Sequence, residues 1–124
     1  MELYCKLFIR SKLTHAEVFK LIAETTLGNI DGGRSLRNEI FELDLIVNKD
    51  AKWNSKTIDD DDFIFYPYYA EIEPIVNGSD EQEYMQSILD LVIALSKLEI
   101  HCVAACDFED FLKDKIECLG FKSW

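Results

Sequence analysis

The segment DDDDFIFYPYYAEIE, residues 59–73, constrains the fold more than any other part of the chain. After four aspartates, its side chains alternate between two faces with the two-residue period of a β-strand. The face expected to join the core contains Ile64, Tyr66, Tyr68, Ala70 and Ile72. The opposite face mixes large rings with carboxylates, and it contains Phe63, Phe65, Pro67, Tyr69, Glu71 and Glu73. We therefore predict a central strand whose second face is a contact surface.

Pro67 lies inside this predicted strand. Because proline has no backbone N–H, it cannot donate to a β-ladder, and strands accommodate it at edges or at bulges. A bulge at Pro67 would exchange the two faces on one side of it. The sequence therefore leaves open which assignment of faces holds across Pro67.

Three further segments have the pattern of strands. Residues 3–10 and 41–47 alternate between apolar and polar side chains, and residues 100–106 form a short apolar run with β-branched members. The polar connection at residues 48–62 is long for a hairpin, which is typical of a mobile or functional loop. The chain is therefore expected to contribute four strands.

Two helices are predicted between these strands. Thr14 and Glu17 have the spacing of a capping box, so the first helix begins after Thr14, and Gly28 is its expected stop. A turn signal follows at residues 31–33. Ser79 or Asp80 caps a second helix, whose apolar residues recur with the helical period as far as Leu98.

The resulting order, β-α-β-β-α-β, predicts an α+β protein with a ferredoxin-like sandwich. In this fold an antiparallel four-stranded sheet carries two helices on one face, and the first and third strands are central. Residues 111–119 are compatible with one more short helix, and residues 1–124 are expected to form a single domain. The open face of the sheet would then carry Tyr4, Lys6, Phe8, Glu42, Asp44, Phe65, Tyr69, Glu71 and Glu73.

Length and composition predict a cytoplasmic globular protein. A chain of 124 residues buries a sufficient core without disulfides or metal. No apolar run has the length of a membrane span, and the amino terminus lacks the pattern of a signal peptide. The four cysteines are therefore expected to be reduced.

The charge balance restricts the class of partner. With 24 acidic and 13 basic residues, the chain has a formal net charge of −11. Nucleic acids and anionic membranes are disfavoured as partners, because both are bound through Lys and Arg. A basic protein would be attracted. Acidity that serves only to keep the protein soluble is the simpler alternative.

No motif for catalysis is present. The clustered carboxylates would suit Mg²⁺ or Ca²⁺, but they lack the spacing of an EF-hand loop. Cys102 and Cys106 are too far apart along a strand for a disulfide, and no histidine pair completes a zinc site with them. We therefore predict no catalytic residue, no metal and no cofactor. The alternative function is a small cytosolic metal-dependent hydrolase or ligand-binding domain that uses these carboxylates.

The segments FYPYYAEIEP at residues 65–74 and VAACDFED at residues 103–110, joined by an amphipathic helix, resemble small bacterial immunity proteins. These proteins neutralise polymorphic toxins, including those of contact-dependent growth inhibition and Rhs systems. The resemblance covers the carboxyl-terminal half and implies a cytosolic, non-catalytic protein that binds one cognate toxin domain. Such toxins are often basic nucleases, and their inhibitors are often acidic.

The charge balance and the resemblance predict the same kind of contact surface, because an acidic inhibitor can pair with the Lys and Arg residues of a toxin. The oligomeric state is left open. The residues predicted to contact the toxin are Asp59, Asp60, Asp61, Asp62, Phe65, Tyr69, Glu71 and Glu73, followed by Asp107, Glu109 and Asp110.

Overall fold

The computed structural model describes residues 1–51, 60–75 and 80–124. Within these ranges the protein has an antiparallel sheet of six strands, three α-helices and one 3₁₀ helix, so the predicted α+β class is confirmed. The elements in chain order are β1 (Cys5–Arg10), α1 (His15–Thr26), β2 (Asn29–Ile30), β3 (Ser35–Arg37), β4 (Phe41–Val47), the 3₁₀ helix (Asp60–Phe65), β5 (Tyr68–Pro74), α2 (Glu81–Lys97), β6 (His101–Ala105) and α3 (Glu109–Cys118).

The strands lie in the order β2-β3-β4-β5-β1-β6, and every neighbouring pair is antiparallel. The four predicted strands correspond to β1, β4, β5 and β6. Among these four, β1 and β5 are the inner pair, as the sequence predicted for the first and third strands. Strand β4 has the same bounds as the predicted strand at residues 41–47.

The sheet is larger than the four-stranded prediction because a short hairpin extends it beyond β4. Strands β2 and β3 flank the turn that the sequence indicated at residues 31–33. Each is only two or three residues long, which is too short for a period to appear in the sequence. Leu36 anchors the hairpin: it lies opposite Leu43 of β4 and is 2% exposed.

All three helices pack on one face of the sheet. The core joins Leu7 and Ile9 of β1 to Ile22 of α1, Ile88 of α2 and Leu112 of α3, and each of these five is fully buried. Burial of such a side chain stabilises the fold by roughly 2 kcal/mol. Two helices were predicted on this face, and α3 is the additional short helix that residues 111–119 allowed.

A capping box fixes the start of helix α1, and a residue in the left-handed conformation follows its end. The capping box is confirmed, because the Glu17 N–H donates to Thr14 Oγ1 and the Thr14 N–H donates to Glu17 Oε1, both at 3.2 Å. The chain then turns through Leu27, which has a left-handed φ of 54°. A Cβ at Gly28 would come within 2.8 Å of Leu36 Cδ1, so glycine permits the close approach of β3.

The segment before Pro67 differs from the prediction. Instead of a continuous strand, residues 60–65 form the 3₁₀ helix, and β5 begins at Tyr68. Tyr66 is fully buried on the sheet face opposite the helices, against Phe8 and Val103, so its predicted place on the core face is wrong. Ile64, assigned to the same face, is half exposed at 51%. The predicted assignment of side chains to the two faces is correct only for the residues after Pro67.

Asn48 holds this segment in place. Its buried side-chain amide donates to the backbone carbonyls of Ile64, at 2.9 Å, and Tyr66, at 2.8 Å. The backbone N–H of Asn48 donates to the Pro67 carbonyl at 2.9 Å. Asn48 therefore satisfies carbonyls that a continuous strand would have paired in a ladder.

We expect Asn48→Asp to lower the free energy of unfolding by about 2 to 4 kcal/mol at pH 7, because a carboxylate in place of the amide would face two carbonyl oxygens and leave them unpaired. Urea denaturation followed by circular dichroism measures this loss. Asn29→Asp, which adds the same charge at an exposed position of β2, is expected to change stability by less than about 0.5 kcal/mol. Equal effects of the two variants would contradict the role of Asn48.

Candidate functional site

The sheet face opposite the helices, here called the open face, has an aromatic half and an acidic half. In the aromatic half, Phe8, Tyr66 and Val103 form a second buried cluster, against which Phe63 and Trp124 pack. The Phe8 and Phe63 ring centroids lie 5.2 Å apart in an edge-on arrangement, and Phe8 is only 6% exposed. The 3₁₀ segment and the carboxyl terminus therefore cover rings that the sequence analysis placed on an open surface.

The acidic half consists of four carboxylates on β4 and β5, here called the carboxylate quartet: Glu42, Asp44, Glu71 and Glu73. The strand register sets Glu42 directly opposite Glu73, and Asp44 directly opposite Glu71. Together the four line a small cleft of about 150 Å³. Alternation along β4 had placed Glu42 and Asp44 on this face, but only the register shows that each faces another carboxylate.

Directly opposed like charges destabilise a sheet by a few tenths of a kcal/mol or more per pair. Two polar contacts reduce this repulsion at β3: Ser35 Oγ donates to Asp44 Oδ1, and Arg37 Nη2 lies 3.7 Å from Glu42 Oε1. The Arg37 and Glu42 side chains are 54% and 57% exposed, so their ion pair contributes little. The quartet therefore remains a site of concentrated negative charge.

Tyr4, the residue before β1, interacts with Glu71 of the quartet. Burial, the charge of Glu71 and a hydrogen bond from Tyr4 to the Glu71 carboxylate raise the pKa of the Tyr4 phenol to about 12. The phenol is therefore protonated at neutral pH and acts as a donor to Glu71.

Lys6 separates the two halves of the open face. Its register partner on β5 is Glu71, and its Nζ lies 4.3 Å from the ring centroid of Tyr69 and 5.1 Å from that of Phe8. Such cation–π contacts are favourable by about 0.5–1 kcal/mol when exposed. Lys6 is thus held against the rings at the border of the acidic half.

The predicted contact residues on β5 lie together. Tyr69, Glu71 and Glu73 all face the open side, where Tyr69 packs against the aromatic cluster and the two glutamates belong to the quartet. Asp59 lies outside the described residues. For Asp60, Asp61 and Asp62 the structure describes only the backbone, which belongs to the 3₁₀ helix.

The predicted position of Phe65 on the strand is wrong. It is the last residue of the 3₁₀ helix and lines a shallow cleft with Ile64, Lys49 and Asp50, beyond the end of β4. The physical reason is that the ladder begins only after Pro67, so the alternation of faces does not extend back to Phe65.

The predicted contact carboxylates that follow β6 lie in two different layers of the fold, the sheet and the helices. Asp107 accepts a hydrogen bond from the Glu2 N–H at 2.8 Å, at the end of the sheet where β1 starts between β5 and β6. Glu109 and Asp110 lie in the first turn of α3, in the helix layer, where negative charge favours a helix amino terminus. Phe108 is the N-cap of α3, and no side chain caps it. Asp107 therefore lies in the sheet layer, whereas Glu109 and Asp110 lie in the helix layer.

Comparison of the chain with protein-family models, curated proteins and solved structures gave no match. No helix in the described ranges is long and apolar enough to cross a membrane. Within residues 1–51, 60–75 and 80–124, no three His, Cys, Asp or Glu side chains are grouped to hold a metal ion. Function must therefore be inferred from the open face itself.

A double-mutant cycle tests the repulsion inside the quartet. We expect Glu73→Gln to raise the free energy of unfolding by about 0.5 kcal/mol at low salt, because it removes one of two opposed charges. In a Glu42→Gln background the same change is expected to have no effect, so the cycle isolates the interaction of the pair. Urea denaturation at low and high salt measures both quantities. A coupling of zero at low salt would show that the opposed carboxylates do not repel each other.

Proposed function

We propose that this chain is an immunity protein that binds and neutralises a cognate secreted toxin, most simply a basic nuclease domain. The observation that carries the proposal is the carboxylate quartet, in which two like-charged pairs are set directly opposite each other and line one cleft on the open face. The resemblance of residues 65–74 and 103–110 to bacterial immunity proteins supports the same assignment.

A cationic partner would change the energy of the quartet. The quartet's internal repulsion lowers the stability of the free protein, and Lys or Arg side chains of a partner would remove it while forming charge-assisted hydrogen bonds. A net charge of −11 would also accelerate the encounter with a basic domain. The quartet therefore suits a surface whose charges are neutralised in a complex.

The proposed contact surface centres on Tyr69, Glu71 and Glu73, to which the structure adds Glu42 and Asp44. Asp107 extends it as an acidic flank, and Asp59, Asp60, Asp61 and Asp62 stay predicted contacts from the sequence. Phe65, Glu109 and Asp110 lie away from this centre and are peripheral in the proposal.

We further propose that the fold is an elaborated ferredoxin-like sandwich. The order β4-β5-β1-β6 and the positions of α1 and α2 along the chain support this assignment, because they match the two crossovers of that fold. The β2-β3 hairpin at one sheet edge and helix α3 at the carboxyl terminus are then additions to the common core.

Affinity capture with salt washes tests the function. The tagged protein is expected to retain one basic partner from a lysate of its native bacterium, and salt is expected to weaken the complex. The captured partner must then arrest growth when expressed alone, and it must lose this activity in the presence of the immunity protein. A captured partner without toxicity would contradict the proposal. A bait that retains nothing but melts at higher temperature with Mg²⁺ or Mn²⁺ would favour the metal-dependent alternative.

Neutralising three of the four quartet carboxylates is expected to weaken toxin binding by roughly 100-fold or more, since several desolvated charge pairs are lost. The variant combines Asp44→Asn, Glu71→Gln and Glu73→Gln. The matched control combines Glu24→Gln, Asp90→Asn and Asp114→Asn, three exposed positions in the helix layer that change the net charge equally. Titration calorimetry measures both affinities. If the two triple variants lose the same affinity, net charge rather than the quartet determines binding.

A further inference from the structure

Strand register brings together two cysteines that are far apart in the sequence. In the β1–β6 ladder Lys6 lies opposite Ala105, so the next residues outward, Cys5 and Cys106, lie opposite each other. Cys5 is in the buried core and Cys106 packs against the same core from its edge, so both side chains are on the helix side of the sheet. The two thiols are therefore cross-strand neighbours.

The two thiols shift each other's pKa and differ in exposure. A hydrogen bond with Cys106, together with burial, raises the pKa of Cys5, which is 0% exposed. Hydrogen bonds from Cys5 and from the Phe108 backbone N–H lower the pKa of Cys106, which is partly exposed. Cys106 therefore has more thiolate character and is accessible to reagents, whereas Cys5 is protected behind it.

We propose that Cys5 and Cys106 form a reversible disulfide by exchange with a low-molecular-weight disulfide. Directly opposed residues of an antiparallel pair have Cα atoms roughly 4.5–5.5 Å apart, and a disulfide requires about 4.4–6.8 Å. The crosslink therefore forms without a rearrangement of the sheet. This proposal does not depend on the proposed function.

The exchange occurs in two steps. The Cys106 thiolate attacks one sulfur of the small disulfide, whose S–S bond breaks, and the departing thiolate takes up a proton. Cys5 Sγ then attacks Cys106 Sγ, and the Cys5 proton goes to the second departing thiolate. In total the two cysteine thiols are oxidised to one disulfide, and the small disulfide is reduced to two thiols.

The other two cysteines provide internal controls. Cys102 is 3% exposed, so it is protected from the small disulfide, and its partner in the β1–β6 ladder is Ile9 rather than a cysteine. Cys118 is exposed on α3. Simple accessibility would make Cys118 the preferred target, whereas the proposal directs disulfide formation to Cys5 and Cys106.

The experiment uses the purified full chain with mixtures of reduced and oxidised glutathione, followed by alkylation of free thiols and mass spectrometry of peptides. We expect a crosslinked peptide pair containing Cys5 and Cys106. After the mass of any glutathione bound to Cys118 is subtracted, the protein should be lighter than the fully reduced protein by two hydrogens. We also expect the melting temperature to rise by roughly 5–10 °C, because the crosslink restricts the unfolded chain. The Cys118→Ser variant should behave like the parent.

Two single variants separate the roles of the thiols. Cys5→Ser is expected to accumulate a glutathione adduct on Cys106, because the second step is blocked, whereas Cys106→Ser should form no internal disulfide. Cys5→Ala replaces Cys5→Ser if circular dichroism shows that the serine variant is unfolded. The proposal is overturned if the folded parent gives no Cys5–Cys106 peptide at any glutathione ratio, or if that peptide appears only after unfolding in urea.

Discussion

The antiparallel pairing of β1 with β5 and β6 is the constraint on which the rest of the structure depends. It places Leu7 and Ile9 beneath the helices, and it sets Lys6 beside Glu71 on the opposite face. The same pairing places the start of β1 between the acidic ends of its two neighbours. A shift of one residue would exchange the two faces and destroy the core and the surface together.

Strand β5 shows how one segment supplies both the core and a surface. Ala70 and Ile72 are fully buried under the helices, while Glu71 and Glu73, alternating with them, join the carboxylate quartet. The strand can do this only because its start is fixed. The ladder begins only after Pro67. On the amino-terminal side of Pro67, the Asn48 side chain binds the backbone carbonyls, and Tyr66 is directed to the open face.

The two halves of the open face have opposite energetic roles. The aromatic half is stabilising, because Phe8, Tyr66 and Val103 bury apolar area against the 3₁₀ segment and Trp124. The acidic half is destabilising in the free protein, because its carboxylates oppose each other across β4 and β5. Repulsion is therefore concentrated in one half of the open face, next to a half that is packed.

The sequence by itself determined the elements that depend on neighbouring residues. The capping box at Thr14, the bounds of β4 and the faces of β5 after Pro67 all follow from local spacing, and the acidity follows from composition. Only the tertiary structure decided which distant residues meet: Glu42 with Glu73, Asp44 with Glu71, and Cys5 with Cys106. It also decided that β2 and β3 extend the sheet. The physical reason is that periodicity reports the conformation of one strand, whereas register depends on how several strands pack over a shared core.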